Sequence, residues 1–290
     1  SKVASERAVA ESGLKYWAIV RQSFQIPNNP IAADYPIVAH MPQDTYGERM
    51  DAESSGNLMV QICLNAPENF WRYGYHMGGG EDQRFDQYSY VKALHGNARA
   101  GWSPKWLATK NYHGCYFTDS DDLNEIVPYR LKDRAQFLKD ELMNQIKLVK
   151  SKPRMTPEEV EAKNKRIARK PGGTLWAIEN NNEETIRVLW GSREKYDAIP
   201  ENWEDIPLPE PTYPVEYLDH GYDETKPLSE LDLADMQQAA KFRGGECLSE
   251  TMEKGDLFTP LNWKCAFGHE FTGTPNLILR LGHWCPHCLE

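Results

Sequence analysis

The residues best suited to chemistry are cysteines and histidines near the C-terminal end of the chain, which holds four of the six cysteines. Cys265 and His269 form one close pair in the string Cys-Ala-Phe-Gly-His, and Cys285 and Cys288 form a second in Cys-Pro-His-Cys. Thiolate sulfur and imidazole nitrogen are ligands of tetrahedral zinc, and each pair can deliver two of them from one tight turn. The spacing therefore predicts one structural Zn2+ ion bound between about Gly244 and Cys288.

The identity of the fourth ligand is open between His269 and Cys247. We favour His269 because Gly268 allows a sharp turn beside it, so that both ligands of the first pair come from one local segment. Free thiols or a disulfide pair are the alternative to a metal, but a module this small needs a staple, which the two pairs supply. Glu270 is a candidate acid/base group for a catalytic zinc, yet five available ligands favour a closed structural site.

Composition limits the classes of partner and compartment. The chain of 290 residues has a formal charge of −10, which argues against binding to nucleic acid because such binding needs a basic surface. Residues 228–290 are also acidic, with 5 Lys+Arg against 9 Asp+Glu. No apolar run approaches the ~20 residues of a membrane helix, and cysteines in metal-type spacing favour a reducing compartment. We therefore expect a cytoplasmic protein with no membrane partner.

The N-terminal segment has the pattern of a helix followed by a strand. Residues 1–12 contain good helix formers and end at Gly13, and Tyr16–Val20 is a short apolar run of β-prone residues. Such a step is typical of an α/β sheet, in which buried strands alternate with helices. Four prolines from Pro27 to Pro42 then predict an irregular excursion at the sheet edge, where substrate contacts often lie.

The chain divides into three predicted segments. Residues 1–150 are an α/β domain, residues 151–227 are a connecting region, and residues 228–290 are a helix with the metal module. The elements predicted after Pro42 are helices over Ala52–Leu64, Tyr88–His95, Leu123–Ile126 and Ala135–Lys150, a strand over Phe70–Met77, a helix capped by Thr156, a hairpin over Gly172–Trp190, an acidic proline-rich linker over 197–227 and a helix from Ser229 to about Phe242.

Several strings in the first 150 residues match the pattern of a known enzyme family in order and spacing. Ser1-Lys2 opens the first helix, Ser12-Gly13-Leu14 follows it, and Arg21 ends the next strand. Farther on, the aromatic segment from Tyr73 runs into the glycine triplet that ends at Gly80. These residues resemble the C-terminal part of the extended short-chain dehydrogenase/reductases, the NAD-dependent epimerase/dehydratase family. The strings around the C-terminal cysteines resemble appended zinc-ribbon or treble-clef modules.

The resemblance implies a fold, a cofactor and site residues. The fold would be the C-terminal portion of a Rossmann-like sheet with a substrate-binding region. NAD or NADP would exchange hydride with a small-molecule substrate, for which a nucleotide sugar is the family's commonest case. Lys2 would be a catalytic residue that lowers the pKa of a tyrosine upstream of this chain and binds the nicotinamide ribose. Arg21, Gln22 and Ser23 end a strand, where open α/β sheets place ligands, and are candidates for cofactor binding.

The chain departs from the family pattern in its glycines. It contains no Gly-x-Gly-x-x-Gly loop between a strand and a helix, and Glu81-Asp82 after the glycine triplet would repel a pyrophosphate. We therefore expect the downstream part of a longer oxidoreductase or epimerase, with a homodimer as a candidate assembly. The alternative is a non-enzymatic interaction protein, in which an inactive α/β scaffold presents the zinc module. A zinc-dependent hydrolase or nuclease has little support in the residues.

Overall fold

The computed structural model describes residues 2–26, 34–110, 114–150, 155–210 and 215–288. Within these ranges the chain has a mixed α/β fold, as predicted in this coarse form. The α-helices of the described residues are α1 (Lys2–Ala10), α2 (Ala52–Asn65), α3 (Gln87–His95), α4 (Ser120–Ile126), α5 (Arg134–Lys150), α6 (Pro157–Ala168), α7 (Thr174–Glu179), α8 (Glu183–Trp190), α9 (Arg193–Asp197) and α10 (Leu233–Phe242). Their strands are β1 (Ala18–Gln22), β2 (Phe24–Ile26), β3 (Tyr46–Asp51), β4 (Tyr73–Met77), β5 (Arg84–Asp86), β6 (Glu246–Cys247), β7 (Leu261–Lys264) and β8 (Glu270–Gly273).

The strands form three small sheets. Strand β1 pairs with β4 alone, β3 lies between β2 and β5, and β7 lies between β6 and β8. The β2–β3 pairing is parallel, whereas β3–β5, β6–β7 and β7–β8 are antiparallel. A Rossmann-like sheet needs consecutive parallel strands with helices on both faces. The pairings among the described residues therefore do not support the predicted Rossmann-like sheet, because its two predicted strands pair only with each other.

The helices predicted from apolar periodicity and capping are confirmed in the first 170 residues. Helix α2 begins after Asp51, whose side chain accepts from the Ser54 N–H at 2.9 Å, and the helix predicted over Ala135–Lys150 is α5. Helix α6 begins with the predicted capping box. The Thr156 hydroxyl accepts from the Glu159 N–H at 3.3 Å, and the Glu159 carboxylate accepts from the Thr156 N–H at 2.7 Å. Capping chemistry thus predicts the start of α6 correctly, and apolar periodicity predicts α2.

The predicted hairpin over Gly172–Trp190 is wrong, since this segment forms helices α7 and α8. Its apolar residues were assigned to strands, but Ile186, Leu189 and Trp190 share the buried face of α8. The asparagines form an inter-helix turn rather than a β-turn, because the Asn182 side chain accepts from the Thr185 N–H at 3.0 Å and caps α8. The asparagines around Asn182 favour a hairpin turn in the sequence, whereas in the structure Asn182 caps a helix.

Other boundaries also differ from the prediction, among them the strand predicted over Phe70–Met77, which begins at Tyr73. The final helix is capped by Asp232 rather than Ser229, because Asp232 accepts from the Ala234 N–H at 2.9 Å and forms a capping box with Asp235. The predicted linker over 197–227 contains one short 3-10 turn over Trp203–Asp205 but no long regular element in its described residues, with 211–214 outside them. Of the proline-rich excursion, residues 27–33 also lie outside the described residues.

Contacts divide the chain into two units that alternate along the sequence and cut across the predicted segments. One unit, called the metal unit below, contains residues 1–21, 67–75 and 214–290. Its core includes Met236, Trp263 and Ile278, which are completely buried. The other, called the large unit, contains residues 22–66 and 76–213. No helix among the described residues combines the length and the apolar content needed to cross a lipid bilayer.

Candidate metal centre

The first cysteine–histidine pair lies in the turn of the β7–β8 hairpin. Lys264 pairs with Glu270 across the hairpin, so Cys265–His269 are the connecting residues. The Cys265 N–H donates to the His269 carbonyl at 3.0 Å, and the Gly268 N–H donates to the Cys265 carbonyl at 2.9 Å. Gly268 has a φ of +83°, a conformation that glycine adopts without strain. The antiparallel register and one glycine thus place both ligand atoms on the same side of the turn.

The second pair lies on the loop after a π-helical turn over Asn276–Arg280. The Cys288 N–H donates to the Cys285 carbonyl at 3.3 Å, which closes a tight turn around the pair. Cys285 is 1% exposed and belongs to the same core as Trp263. The loop is tied at its start by the His283 N–H, which donates to the Leu277 carbonyl at 3.1 Å. Both turns are therefore fixed by backbone bonds and by the core of the metal unit.

The two turns bring three sulfur atoms and one nitrogen atom together. The Cys265, His269, Cys285 and Cys288 ligand atoms all lie within 4.8 Å of one another. The Cys265 and Cys288 Sγ atoms are 3.6 Å apart, and His269 Nδ1 lies 3.5 Å from Cys265 Sγ, 3.3 Å from Cys288 Sγ and 3.7 Å from Cys285 Sγ. This Cys3His cluster could hold a metal ion such as zinc.

The pKa values of two of the thiols indicate that negative charge on one sulfur opposes negative charge on another. Burial opposes ionisation of Cys265, but the backbone N–H groups of Phe267 and His269 and the neighbouring thiols outweigh it and lower the Cys265 pKa to about 6. Burial and the same neighbours raise the Cys288 pKa to about 12. Negative charge on one sulfur thus disfavours a second. A divalent cation among the sulfurs would remove this conflict, because metal binding stabilises the thiolate form of each ligand.

Cys247 is not part of the cluster. It lies on β6 opposite Trp263, and burial raises the pKa of its thiol. Between the two alternatives for the fourth ligand, the structure therefore groups His269 and not Cys247 with the three other cysteines. The neighbouring His283 is 5% exposed and points away to Glu6, with its Nε2 3.2 Å from a Glu6 carboxylate oxygen.

Arg21 has a structural partner rather than a free guanidinium. Its Nη2 lies 2.7 Å from Glu6 Oε2 and also donates to the Leu281 carbonyl at 2.8 Å. The hydrogen bond from Arg21 is the largest cause that lowers the pKa of Glu6. On the next residue of α1, the Arg7 guanidinium donates to the Trp284 carbonyl. The N-terminal helix and β1 are thereby bound to the loop that carries the second ligand pair, a link that no motif in the sequence indicated.

The other residues expected to bind cofactor do not form a site among the described residues. Lys2 is exposed on the first turn of α1, and Gln22 is exposed at the end of β1. The Ser23 N–H donates to the Met77 carbonyl at 2.9 Å, while its buried hydroxyl has no hydrogen-bond partner in the described part of the chain. None of these side chains has a contact with another that would mark a binding site for NAD(P).

A buried carboxylate in the large unit is a feature that sequence reasoning missed. Glu48 on β3 is completely buried and accepts from the Gly80 N–H at 2.7 Å, the Ser120 hydroxyl at 2.6 Å and the Phe117 N–H at 2.9 Å. Arg84 Nε lies 3.5 Å from Glu48 Oε2. The signal was weak, because β3 carries Gly-Glu-Arg in a segment that has no alternation of apolar and polar residues.

The glycine triplet encloses this carboxylate and offers nothing to a phosphate. A Cβ on Gly78 would lie 2.1 Å from the Glu48 carboxylate, so only glycine fits there. The Gly79 N–H donates to the Arg49 carbonyl at 3.1 Å, and the Gly80 N–H is bonded to Glu48. A phosphate-binding loop needs free N–H groups that point at the ligand. The residues present therefore do not fit the pyrophosphate of NAD(P).

Comparison with protein-family models, with curated proteins and with solved structures found no match to this chain. Among the described residues, the Cys3His cluster is the arrangement with the most definite chemistry.

Proposed function

We propose that Cys265, His269, Cys285 and Cys288 bind one Zn2+ ion, and that its role is structural. The observation that carries the proposal is the spacing of the four ligand atoms. Zn–S bonds of about 2.3 Å and Zn–N bonds of about 2.0 Å in a tetrahedron separate sulfur atoms by about 3.8 Å and sulfur from nitrogen by about 3.5 Å. The separation of 3.6 Å between Cys265 Sγ and Cys288 Sγ and the three separations of 3.3–3.7 Å from His269 Nδ1 to sulfur have this size, and all four ligand atoms lie within 4.8 Å of one another.

A structural role is favoured over a catalytic one by the number and origin of the ligands. Four protein ligands complete a tetrahedron, whereas catalytic zinc keeps one position for water or substrate. Glu270, the carboxylate considered as an acid/base group, is exposed on β8 and pairs in register with Lys264. The ion would join the hairpin turn to the C-terminal loop, and the chemistry that it supplies is the neutralisation of clustered thiolates.

The test is a metal analysis with matched cysteine variants. The purified chain should contain one zinc ion per molecule, and Cys285→Ser should remove it. Cys247→Ser is the control, because Cys247 lies in the same unit but outside the cluster, and it should keep full metal content. Equal zinc loss in both variants, or a chain without zinc after expression in zinc-supplemented medium, would refute the proposal.

From the resemblance of residues 1–150, we also propose that the chain belongs to an NAD(P)-dependent oxidoreductase or epimerase acting on a small molecule. The order and spacing of its motifs support this. The described residues do not fit the cofactor's phosphates, so this function requires that residues outside them bind the pyrophosphate. In protein translated from a reading frame that continues upstream of Ser1, Lys2→Ala should abolish hydride transfer and Lys15→Ala should not. An upstream frame without a Tyr-x-x-x-Lys tyrosine would exclude this function.

The alternative, an interaction protein that presents the zinc module, has one observation in its favour. Phe267 lies at the tip of the first ligand turn and is 80% exposed, an unusual position for a large apolar side chain on a rigid turn. A partner that binds the wild-type chain and Leu248→Ser but not Phe267→Ser, with zinc content unchanged in both, would support this function over the enzymatic one.

A further inference from the structure

A second possible binding site lies in the large unit, in a cavity of 440 Å³ beneath the acidic proline-rich segment. Its walls are mainly apolar and include the side chains of Leu107, Ile199, Trp203 and Leu208 together with several prolines. Cavities of this volume and character are typical of sites for small organic molecules. The segment over 203–210 forms one wall, so the feature predicted only as a surface linker has a definite place in the fold.

This wall is held in place by one arginine. Arg99 donates to the carbonyls of Trp203 and Ile206, both at 3.2 Å, and of Pro207 at 2.9 Å. Its guanidinium lies 4.4 Å from the centre of the Trp203 ring, and the Trp203 indole N–H donates to the Trp102 carbonyl at 2.6 Å. Because its N–H groups are used for these backbone contacts, Arg99 fixes the cavity wall and offers little to an anionic ligand.

The charges that remain at the cavity are negative. Asp44 and Glu210 both line it, and within the described residues neither carboxylate has a hydrogen-bond or ion-pair partner. A ligand whose apolar part fills the cavity would place a positively charged end group near these two carboxylates. An anion would meet them with no free cation to balance it, since Arg99 is already engaged.

We propose that this cavity binds an amphipathic organic amine, with its apolar part against Trp203 and Leu107 and its ammonium group at Asp44 and Glu210. The proposal does not depend on zinc or on the oxidoreductase function, because all of its residues lie in the large unit. It assigns the proline-rich segment a role as the wall of a ligand site. Discrimination by charge, rather than affinity alone, is its distinguishing property.

The experiment compares three probes of the same shape, 2-phenylethylamine, 2-phenylethanol and phenylacetate, by titration calorimetry on the full chain. The amine should bind roughly tenfold tighter than the alcohol, since the exposed Asp44 and Glu210 carboxylates would each add a modest ion-pair contribution, and phenylacetate should bind weakest. In the double variant Asp44→Asn/Glu210→Gln the amine and the alcohol should bind equally. The double variant Glu204→Gln/Asp205→Asn is the matched control, because these acids are exposed on the same segment but do not line the cavity.

Three outcomes would overturn the proposal. One is the absence of saturable binding for all three probes up to their solubility limits. Another is equal affinity for the amine and the alcohol in the wild-type chain, which would show that the carboxylates do not select charge. The third is an equal loss of amine preference in the control variant, which would show that the preference comes from the overall negative charge of the segment.

A Trp203→Phe variant should also lose the amine-dependent change in tryptophan fluorescence.

Discussion

The metal unit and the large unit each contain a cluster of polar side chains in a mostly apolar environment, and the two clusters are completed differently. In the large unit, Glu48 is surrounded by donors that the protein itself provides, including two backbone N–H groups and the Ser120 hydroxyl. In the metal unit, three sulfurs and one imidazole nitrogen face one another. The first is a buried carboxyl group whose hydrogen-bond donors come from the chain, whereas the second could be completed by a metal ion such as zinc.

The two units should therefore obtain their stability from different sources. A carboxylate with its own donors is complete once the chain has folded, so the large unit should depend on the exact fit of its neighbours. A Cys3His cluster rarely exists before folding, and the free energy of metal binding becomes free energy of folding. The metal unit should therefore respond to chelators and cysteine variants, and the large unit to substitutions that change shape or hydrogen bonding around Glu48.

The largest expected effect is the loss of the metal. Structural zinc contributes on the order of 10 kcal/mol to the folding of small zinc domains, so chelation should unfold the loop of the second pair. Because Arg7 and Arg21 bind carbonyls of that loop, α1 should be released with it. Limited trypsin digestion should then cut after Arg7 in the chelated protein and not in the zinc-loaded protein.

The matched control for this prediction is Cys247→Ser, which should keep both zinc and protection at Arg7. Cleavage after Arg7 at the same rate with and without metal would show that α1 is held independently of the ion. It would leave the zinc site intact as a proposal but break the comparison, because the metal unit would then be stable without its cation.

The second effect concerns Glu48. Glu48→Gln should lower the free energy of unfolding by about 3 kcal/mol. The glutamine side chain replaces one acceptor oxygen with an NH2 group, and this group would face N–H and O–H groups that donate hydrogen bonds to the carboxylate of Glu48. Urea denaturation, followed by circular dichroism, measures this change. The control Glu81→Gln alters an exposed carboxyl in the adjacent turn and should cost less than about 0.5 kcal/mol. Equal and small effects of both substitutions would show that the burial of Glu48 contributes little.

The third effect tests the glycine that covers Glu48. Gly78→Ala would place a Cβ 2.1 Å from the carboxylate, and relief of this clash should cost about 2 kcal/mol. Gly56→Ala is the control, since nothing lies within 4 Å of its added Cβ in the middle of α2, and there alanine should stabilise by about 0.5–1 kcal/mol. Thermal melts of the two variants should therefore shift in opposite directions. A stabilising Gly78→Ala would contradict the packing described around Glu48.

The two clusters also differ in how far the sequence could predict them. Ligand spacing is local, and the turn that Gly268 allows is local too, so Cys265, Cys285 and Cys288 could be named from the chain alone. The choice of His269 over Cys247 needs the contacts of the folded chain. The donors of Glu48 come from residues near 80, 117 and 120, and no local pattern joins these segments. The same limit explains the hairpin error at Asn182, since asparagine serves turns and helix caps equally well. The docking of α1 through Glu6 and Arg7 likewise rests on contacts with residues near the opposite end of the sequence.

The smallest predicted effect tests whether a second buried carboxyl of the large unit, that of Glu141, has hydrogen-bond donors as favourable as those of Glu48. Glu141 is 7% exposed, and burial raises its pKa, partly offset by the Tyr90 hydroxyl, which donates to it at 3.1 Å. Because the folded pKa lies above the unfolded one, the folded state holds the proton more tightly, and stability falls as pH rises from the ordinary range of glutamate through the raised pKa. Glu141→Gln keeps an acceptor for Tyr90 and removes this titration.

Urea denaturation between pH 4 and pH 8 measures the difference. The gain from Glu141→Gln should grow as pH rises from the ordinary range of glutamate to the raised pKa of Glu141 and stay constant above it. The control Glu125→Gln changes an exposed carboxyl on α4 and should not alter the slope. A gain for Glu141→Gln that does not change with pH would mean that the carboxyl is as well solvated in the folded chain as in the unfolded one. The large unit would then contain no poorly compensated carboxyl at this position, and its contrast with the metal unit would be sharper than Glu48 alone shows.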